Sequence, residues 1–300
     1  VRAGIDIGGT KTEAVALAED GRVAGRFRLP TGRGPELVLE TAVTAMESLA
    51  GSVGIGIREF DSVGVGIPGA VDPATGVISH ALNLGVTRLE LGGLLGRHIG
   101  GPVHVENDVN AAAVGAYHLL GDRAGSSMAY LNLGTGLAAG VVVDGELWRG
   151  ARGAAGEIGH IIVDPSGPLD LDGQPGGLEV VASGSGIARQ WGSTEPDAVL
   201  TMLDAADAGD PRATDIRRRL VEGVATAVRI LVLTIDVELV VVGGGLSRLG
   251  PRIMGSVEDV FARWSGASPF LASLELADRV LVLDADAPVA ALGAAHLGGS

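Results

Sequence analysis

Asp108 stands in the run Glu106-Asn107-Asp108-Val109-Asn110, where an apolar strand gives way to an alanine-rich helix. A carboxylate at a helix N-terminus is held ionised by the helix dipole and by free backbone donors, so it accepts a proton at neutral pH. Asp108 is therefore a candidate general base. The same run also reads as a plain helix start, with Asn107 or Asp108 as the capping side chain. Further along, Glu157 and His160 lie three apart in Gly156-Glu157-Ile158-Gly159-His160, and Glu179 follows in Gly176-Gly177-Leu178-Glu179. Groups that accept and donate in pairs can read the adjacent hydroxyls of a sugar, whereas a lone histidine is more often structural.

A second chemistry is written twice. Ala3-Gly4-Ile5-Asp6-Ile7-Gly8-Gly9-Thr10-Lys11 continues through Val15-Ala16-Leu17 to Asp20-Gly21, and Ala129-Tyr130-Leu131-Asn132-Leu133-Gly134-Thr135-Gly136 continues through Val141-Val142-Val143 to Asp144-Gly145. Glycine lets backbone N–H groups approach an anion with no Cβ in the way, and threonine adds a hydroxyl donor, so each turn is a phosphate cradle. Two cradles imply a nucleotide polyphosphate held between two related halves, with Asp6 and Lys11 flanking the first. Taken singly, either turn is also an ordinary hairpin turn.

The elements that must position these residues follow from periodicity. Strands open the chain, and a helix over 35–50 places Leu37, Val38, Thr41, Ala42, Ala45, Met46 and Leu49 at helical spacing. Residues 61–67 alternate as a half-buried strand that stops at Pro68-Gly69, and a short strand over 102–105 precedes Asp108 and its helix. The second Gly-Thr unit sets a domain boundary near 117–128. The glycine-rich stretch 150–186 is a structured site loop rather than a linker. A long helix over 215–235, a strand over 239–242 running into Gly243-Gly244-Gly245, a strand over 280–283 and a last helix over 288–297 complete the chain.

Composition excludes several classes. A net charge of −14 argues against a nucleic-acid partner, which is bound by excess Lys and Arg, so an anionic ligand must rely on backbone donors and a few local cations. The absence of cysteine removes disulfides and thiolate metal sites and fits a cytoplasmic protein. No apolar run is long enough to span a bilayer, so no membrane partner is expected.

Asp6-Ile7-Gly8-Gly9-Thr10-Lys11, Gly66-Ile67-Pro68-Gly69, Glu106-Asn107-Asp108-Val109-Asn110-Ala111-Ala112, Leu133-Gly134-Thr135-Gly136, Glu157-Ile158-Gly159-His160 and Val242-Gly243-Gly244-Gly245 occur in the order of the ROK family of repressors, open reading frames and sugar kinases, which the chain resembles over nearly its whole length. The resemblance implies two α/β domains of the actin-like ATPase (ribonuclease H-like) type with an interdomain cleft that closes on substrate. The expected boundaries are 1–118 and 119–285, with a C-terminal helix at about 286–300 packing back on the first domain. It further implies an ATP- and Mg²⁺-dependent kinase acting on the 6-hydroxyl of a hexose, glucose first, and a homodimer. In that picture Asp108 takes the hydroxyl proton, while Gly69, Asn83, Asn107, Asp108, Glu157, His160 and Glu179 line the sugar. Gly8, Gly9, Thr10 and Lys11 together with Gly134, Thr135 and Gly136 hold the phosphates, Gly243, Gly244 and Gly245 approach the adenosine, and Asp6 positions Mg²⁺ through water.

Two departures stand out. The family usually carries another glycine two residues after the second Gly-Thr-Gly, where this chain has Ala138. It also commonly places three zinc-binding cysteines ten, twelve and seventeen residues beyond the histidine, where Asp170, Asp172 and Gly177 stand here. No zinc site is therefore expected, and the loop must be ordered by its glycine turns, its prolines and the packing of Ile161, Ile162, Leu169 and Leu178. Three alternatives of function accompany the resemblance: a kinase for another hexose or an N-acetylated amino sugar, a protein that binds sugar without turnover, or a sugar-responsive transcriptional regulator. With five residues before Asp6, an intact DNA-binding repressor is not expected, and the presence of Asp6, Lys11 and Asp108 favours catalysis.

Overall fold

The computed structural model describes residues 1–299. The first of its two units comprises Val1–Arg123, Gly145–Leu147 and the residues from Pro288 on. It opens with the antiparallel pair β1 (Arg2–Ile7) and β2 (Lys11–Leu17), then β3 (Val23–Pro30) and the helix α1 (Pro35–Val53). Pro35 starts α1 because its fixed φ suits a first helical position, and Val38, Ala42, Ala45, Met46 and Leu49 turn one face to the core. Next come β4 (Ser62–Ile67), a small antiparallel sheet of β5 (Ala70–Asp72), β6 (Val77–Ala81) and β7 (Val86–Leu89), then α2 (Leu91–Ile99), β8 (Val103–Asn107) and α3 (Asp108–Leu120). The main sheet runs β3-β2-β1-β4-β8, with β1, β4 and β8 mutually parallel.

The second unit, Ala124–Asp144 and Trp148–Ala287, begins with the hairpin β9 (Ser127–Leu133) and β10 (Leu137–Val143). After the two-residue β11 (Glu146–Leu147), which is grouped with the first unit, follow α4 (Leu178–Ala182), α5 (Gly184–Trp191), α6 (Ala198–Asp207) and α7 (Pro211–Ile235). The series ends with β12 (Leu239–Gly243), α8 (Gly250–Ala267), α9 (Pro269–Ala272) and β13 (Val280–Val282). Strands β10, β9, β12 and β13 lie side by side in that order, β9 pairing antiparallel with β10 and parallel with β12. The repeat seen in the sequence is thus a repeat of topology: a hairpin with a glycine turn, then a third strand parallel to the hairpin's first. The long helix starts at Pro211, four residues before the expected Asp215, because Asp210 caps it, accepting from Ala213 N at 2.8 Å.

The chain returns to the first unit as α10 (Val289–Leu297), which packs on α3, β1 and β4. Glycines make this contact possible. A Cβ at Gly4 would lie 1.9 Å from Ala291 O, at Gly64 1.9 Å from Ala294 O, and at Gly115 1.9 Å from Val289 O. The helix begins one residue after the start expected at 288 and ends at 297 as expected, and Ser300 lies outside the described residues. Among the described residues no helix is long and apolar enough to cross a membrane.

Candidate active site

In the first unit the strand β8 delivers Asp108 as the first residue of α3. Asn107, in extended conformation, is the cap: its Oδ1 accepts from Val109 N at 2.9 Å and Asn110 N at 3.2 Å. Its Nδ2 donates to Gly69 O at 3.3 Å, which ties the cap to the loop after β4, where Gly69 takes φ 103°. Asp108 Oδ1 accepts from Val109 N at 3.0 Å, so the carboxylate lies over the start of its own helix. One residue earlier, Glu106 is 2% exposed and accepts from Asn107 N at 3.0 Å and Asn110 Nδ2 at 3.1 Å. A buried carboxylate needs such donors, and these two hold the Asn107 backbone and the Asn110 side chain on either side of Asp108. Neither Glu106 nor Asn110 was given a role from sequence, although their spacing of four across a strand-to-helix junction was a usable signal.

Strand register sets Arg28, Glu13, Asp6, Gly66 and Glu106 side by side across the sheet, on one face. Glu13 is 5% exposed and receives Arg26 Nε, and Arg28 Nε at 2.7 Å. Burial opposes its charge, but the Arg26 and Arg28 guanidiniums hold its carboxyl below the usual range. Asp6 is the opposite case. Burial, then repulsion from Asp108 and Glu13, push it up to about 7, and Lys11 offsets only part of this. Gly66 permits the approach of the two carboxylates, because a Cβ there would already stand 3.1 Å from Ala111 Cβ and 3.6 Å from Asp108 Cα. Asn83, which is exposed, leans on the neighbouring turn: its Nδ2 is 3.4 Å from where a Cβ of Gly9 would be.

The second unit assembles its own group around Leu137, the first residue of β10. Leu137 N donates to Glu179 Oε2 at 2.9 Å, and a Cβ on Gly136 would lie 2.6 Å from that same oxygen. A Cβ on Gly159 would lie 2.3 Å from Leu137 O, so the turn bearing Glu157 and His160 rests directly on the strand. Gly184 N and Ser185 N, at the start of α5, donate to Gly134 O at 2.9 Å and Thr135 O at 3.0 Å. His160 and Glu179 line one cavity of about 440 Å³ with Asp170, Asp172, Gln174 and Arg189. Glu157 is exposed, and no hydrogen bond among the described residues joins its side chain to His160 or Glu179.

Both Gly-Thr turns are closed by one short backbone bond, Gly8 N to Lys11 O and Gly134 N to Gly136 O, each 3.0 Å. Thr10, Lys11 and Thr135 are exposed on them. Ala138 lies in β10 opposite Asn132, one register step beyond the turn, where a Cβ is ordinary. Beside the second turn, Gly244 takes φ 87°, and a Cβ on it would meet Asn132 Oδ1 and Leu133 O at 2.6 Å each. Around Gly245 nothing lies within 4 Å of a Cβ position. Exposed hydroxyls, a lysine and glycine backbone, with the Asp6 carboxylate beside the first turn, fit a nucleotide polyphosphate with its divalent cation.

The loop after His160 has the expected glycine turns, with Gly173 at φ 81° and Gly176 at φ 58°, but less apolar packing than expected. Leu178 is buried, but Ile161, Ile162 and Leu169 are 41%, 46% and 60% exposed. Short pairings do the ordering instead, Ile162 with Gly177 and Leu169 with Pro175, helped by Asp170 Oδ1 accepting from Asp172 N at 2.9 Å and Gln174 N at 2.7 Å. Among the described residues no three His, Asp or Glu side chains gather as a metal-binding group.

Comparison with known proteins agrees with this arrangement. The family model of the ROK family matches residues 2–297. A glucokinase of Halalkalibacterium halodurans is 31% identical over 281 residues, which are 87% of this chain and 85% of that protein. A ROK hexokinase from Thermus thermophilus superposes with a TM-score of 0.80 at 29% identity, covering 99% of this chain and 97% of that one. A ROK family glucokinase from Streptomyces griseus, in complex with glucose and AMPPNP, gives a TM-score of 0.77 at 30% identity, covering 99% and 98%. Matched by the family model over all but its ends, and by structures that follow its whole backbone, the chain belongs to the ROK family.

Proposed function

We propose that this protein is an ATP-dependent hexose kinase, with glucose as its first substrate and the 6-hydroxyl as the acceptor. The observation that carries the reading is Asp108, an acid at the first position of α3, fixed from behind by Glu106 and Asn107 and set beside the Asp6 turn. Asp108 accepts the hydroxyl proton as the oxygen attacks the phosphoryl group, and positioning with charge neutralisation supplies most of the rate. The Gly69 loop, Asn83, Glu157, His160 and Glu179 hold the sugar. With Asn107 Oδ1 engaged in the cap, that residue's share is to shape the site. Gly8, Gly9, Thr10 and Lys11 and the second set Gly134, Thr135 and Gly136 hold the phosphates, and Gly243, Gly244 and Gly245 admit the adenosine. Asp6 would hold Mg²⁺ through water, and the cation would supply charge neutralisation on the phosphate oxygens. Each of the two units is read as one actin-like domain. The protein works in the cytoplasm as a homodimer, without zinc, since the Asp170 carboxylate is engaged by backbone donors and Gly177 offers no side chain.

The test is ADP release over a panel of hexoses and N-acetylated amino sugars with Mg²⁺ and ATP. Glucose is expected to give the largest kcat/KM. Absence of any sugar-dependent ADP release would overturn the kinase reading, and stoichiometric zinc in protein purified without added metal would overturn the zinc-free one.

A further inference from the structure

We propose that Glu179 is a positioning residue for the nucleotide turn as well as a sugar ligand, so that one carboxylate links the two substrates within the second unit. The inference rests on the kinase reading above but uses geometry that this reading does not need. Oε2 of Glu179 accepts from Leu137 N at 2.9 Å, and Leu137 is the residue that follows the 134–136 turn. Among the described residues no other hydrogen bond reaches this carboxylate, and Glu179 lines the cavity shared with His160, which leaves Oε1 as the acceptor the proposal assigns to sugar. Leu137 O, on the other side of the same residue, lies under Gly159 in the turn that carries Glu157 and His160. The exit of the nucleotide turn is therefore held between two sugar-side elements. Gly136 carries no Cβ to displace the carboxylate, which would meet one at 2.6 Å.

Two consequences follow. Without sugar, Glu179 orders the turn by fixing the Leu137 amide. With sugar, a hydroxyl on Oε1 restrains the side chain further, and because binding linkage is reciprocal, each substrate tightens the other.

Glutamine and alanine separate the two roles. The Gln oxygen can still accept from Leu137 N but has lost its charge, whereas Ala offers no acceptor. Calorimetric titration with Mg²⁺ and AMPPNP in the absence of sugar is expected to show Glu179→Ala weakened by about fivefold or more and Glu179→Gln within twofold of the parent. Glucose affinity should fall in both. Hydrogen exchange of the Leu137 amide in unliganded protein should accelerate in Glu179→Ala and stay slow in Glu179→Gln. This readout needs no ligand and is independent of activity. Parent-like AMPPNP affinity and Leu137 protection in Glu179→Ala would overturn the inference while leaving the kinase reading intact. A parent protein that binds neither AMPPNP nor glucose, with Leu137 protection still dependent on Glu179, would overturn the kinase reading and the link between substrates together.

Discussion

The turn at residues 8–10 and the turn at residues 134–136 share a closing bond from a glycine N–H, to the third residue on in the first and the second in the other, and differ in charge. Each joins two antiparallel strands and is closed by one 3.0 Å bond from a glycine N–H. Two residues before that glycine, the first has Asp6 and the second Asn132. The first is also surrounded by charge, with Lys11, Glu13 and Asp108 near Asp6, whereas Asn132 and its partner Ala138 are neutral and the one carboxylate described at the second turn, Glu179, is engaged by the Leu137 amide. On the proposed function the duplicated turn would carry two tasks, the first copy lying beside the cation and the general base and the second beside phosphate.

The largest effect is expected where the charged copy does chemistry. Asp108→Asn keeps the shape but cannot take the proton, so kcat should fall by about 10²–10⁴ while sugar affinity stays within roughly tenfold. Near-parental turnover, measured by coupled ADP release, would remove the base from this residue. Next come matched alanine substitutions in the two turns. Gly136→Ala drives a Cβ to 2.6 Å from Glu179 Oε2, while Gly9→Ala meets only Asn83 Nδ2 at 3.4 Å, ordinary contact. Gly136→Ala should raise KM for ATP by about tenfold and Gly9→Ala by less than about threefold, on the scale of about 1.4 kcal/mol per decade. Equal effects would mean that the two cradles are not differently crowded.

A smaller effect concerns stability. Because the folded pKa of Asp6 is raised to about 7, its favourable contribution is present below the unfolded value near 4 and is lost as pH rises through 7. Asp6→Asn should therefore raise Tm by about 3–6 °C at pH 8, with the gain shrinking to nothing near pH 4. A difference in Tm that is flat across this range would remove ionisation of the buried Asp6 carboxyl as its cause. Smallest of all, Asn132→Asp makes the second turn resemble the first and should weaken nucleotide binding by about threefold, with part of the loss recovered in high salt. Unchanged affinity would show that the second turn tolerates a negative charge beneath it.

The hairpins, the strand into Gly69 and the junction at Asp108 were legible because alternation and glycine turns are local signals. Other elements were not. The helix α8 carries Gly255 in its interior, at about 1 kcal/mol of helix propensity, and it forms because Ile253, Val257, Val260 and Phe261 are buried. In the loop after His160, apolar residues suggested packing, but Asp170 and two strand-like bridges provide the order. The row from Arg28 through Glu13 to Asp6 needed strand register, which sequence separation hides. Glu106 stood in plain view within a quoted motif, but its role depends on burial.

The glycine-lined seat of α10 also bears on how the protein is made. Residues up to 123 leave the ribosome long before residue 289, and at about 5–20 residues per second the intervening synthesis takes roughly 10–30 s. Through that interval Gly4, Gly64 and Gly115 line an empty groove, and α3, which begins with Asp108, lacks the helix that covers it. The nascent first unit is therefore an incomplete acceptor that waits for its last helix, and a chain stalled before residue 289 would present that apolar groove to chaperones.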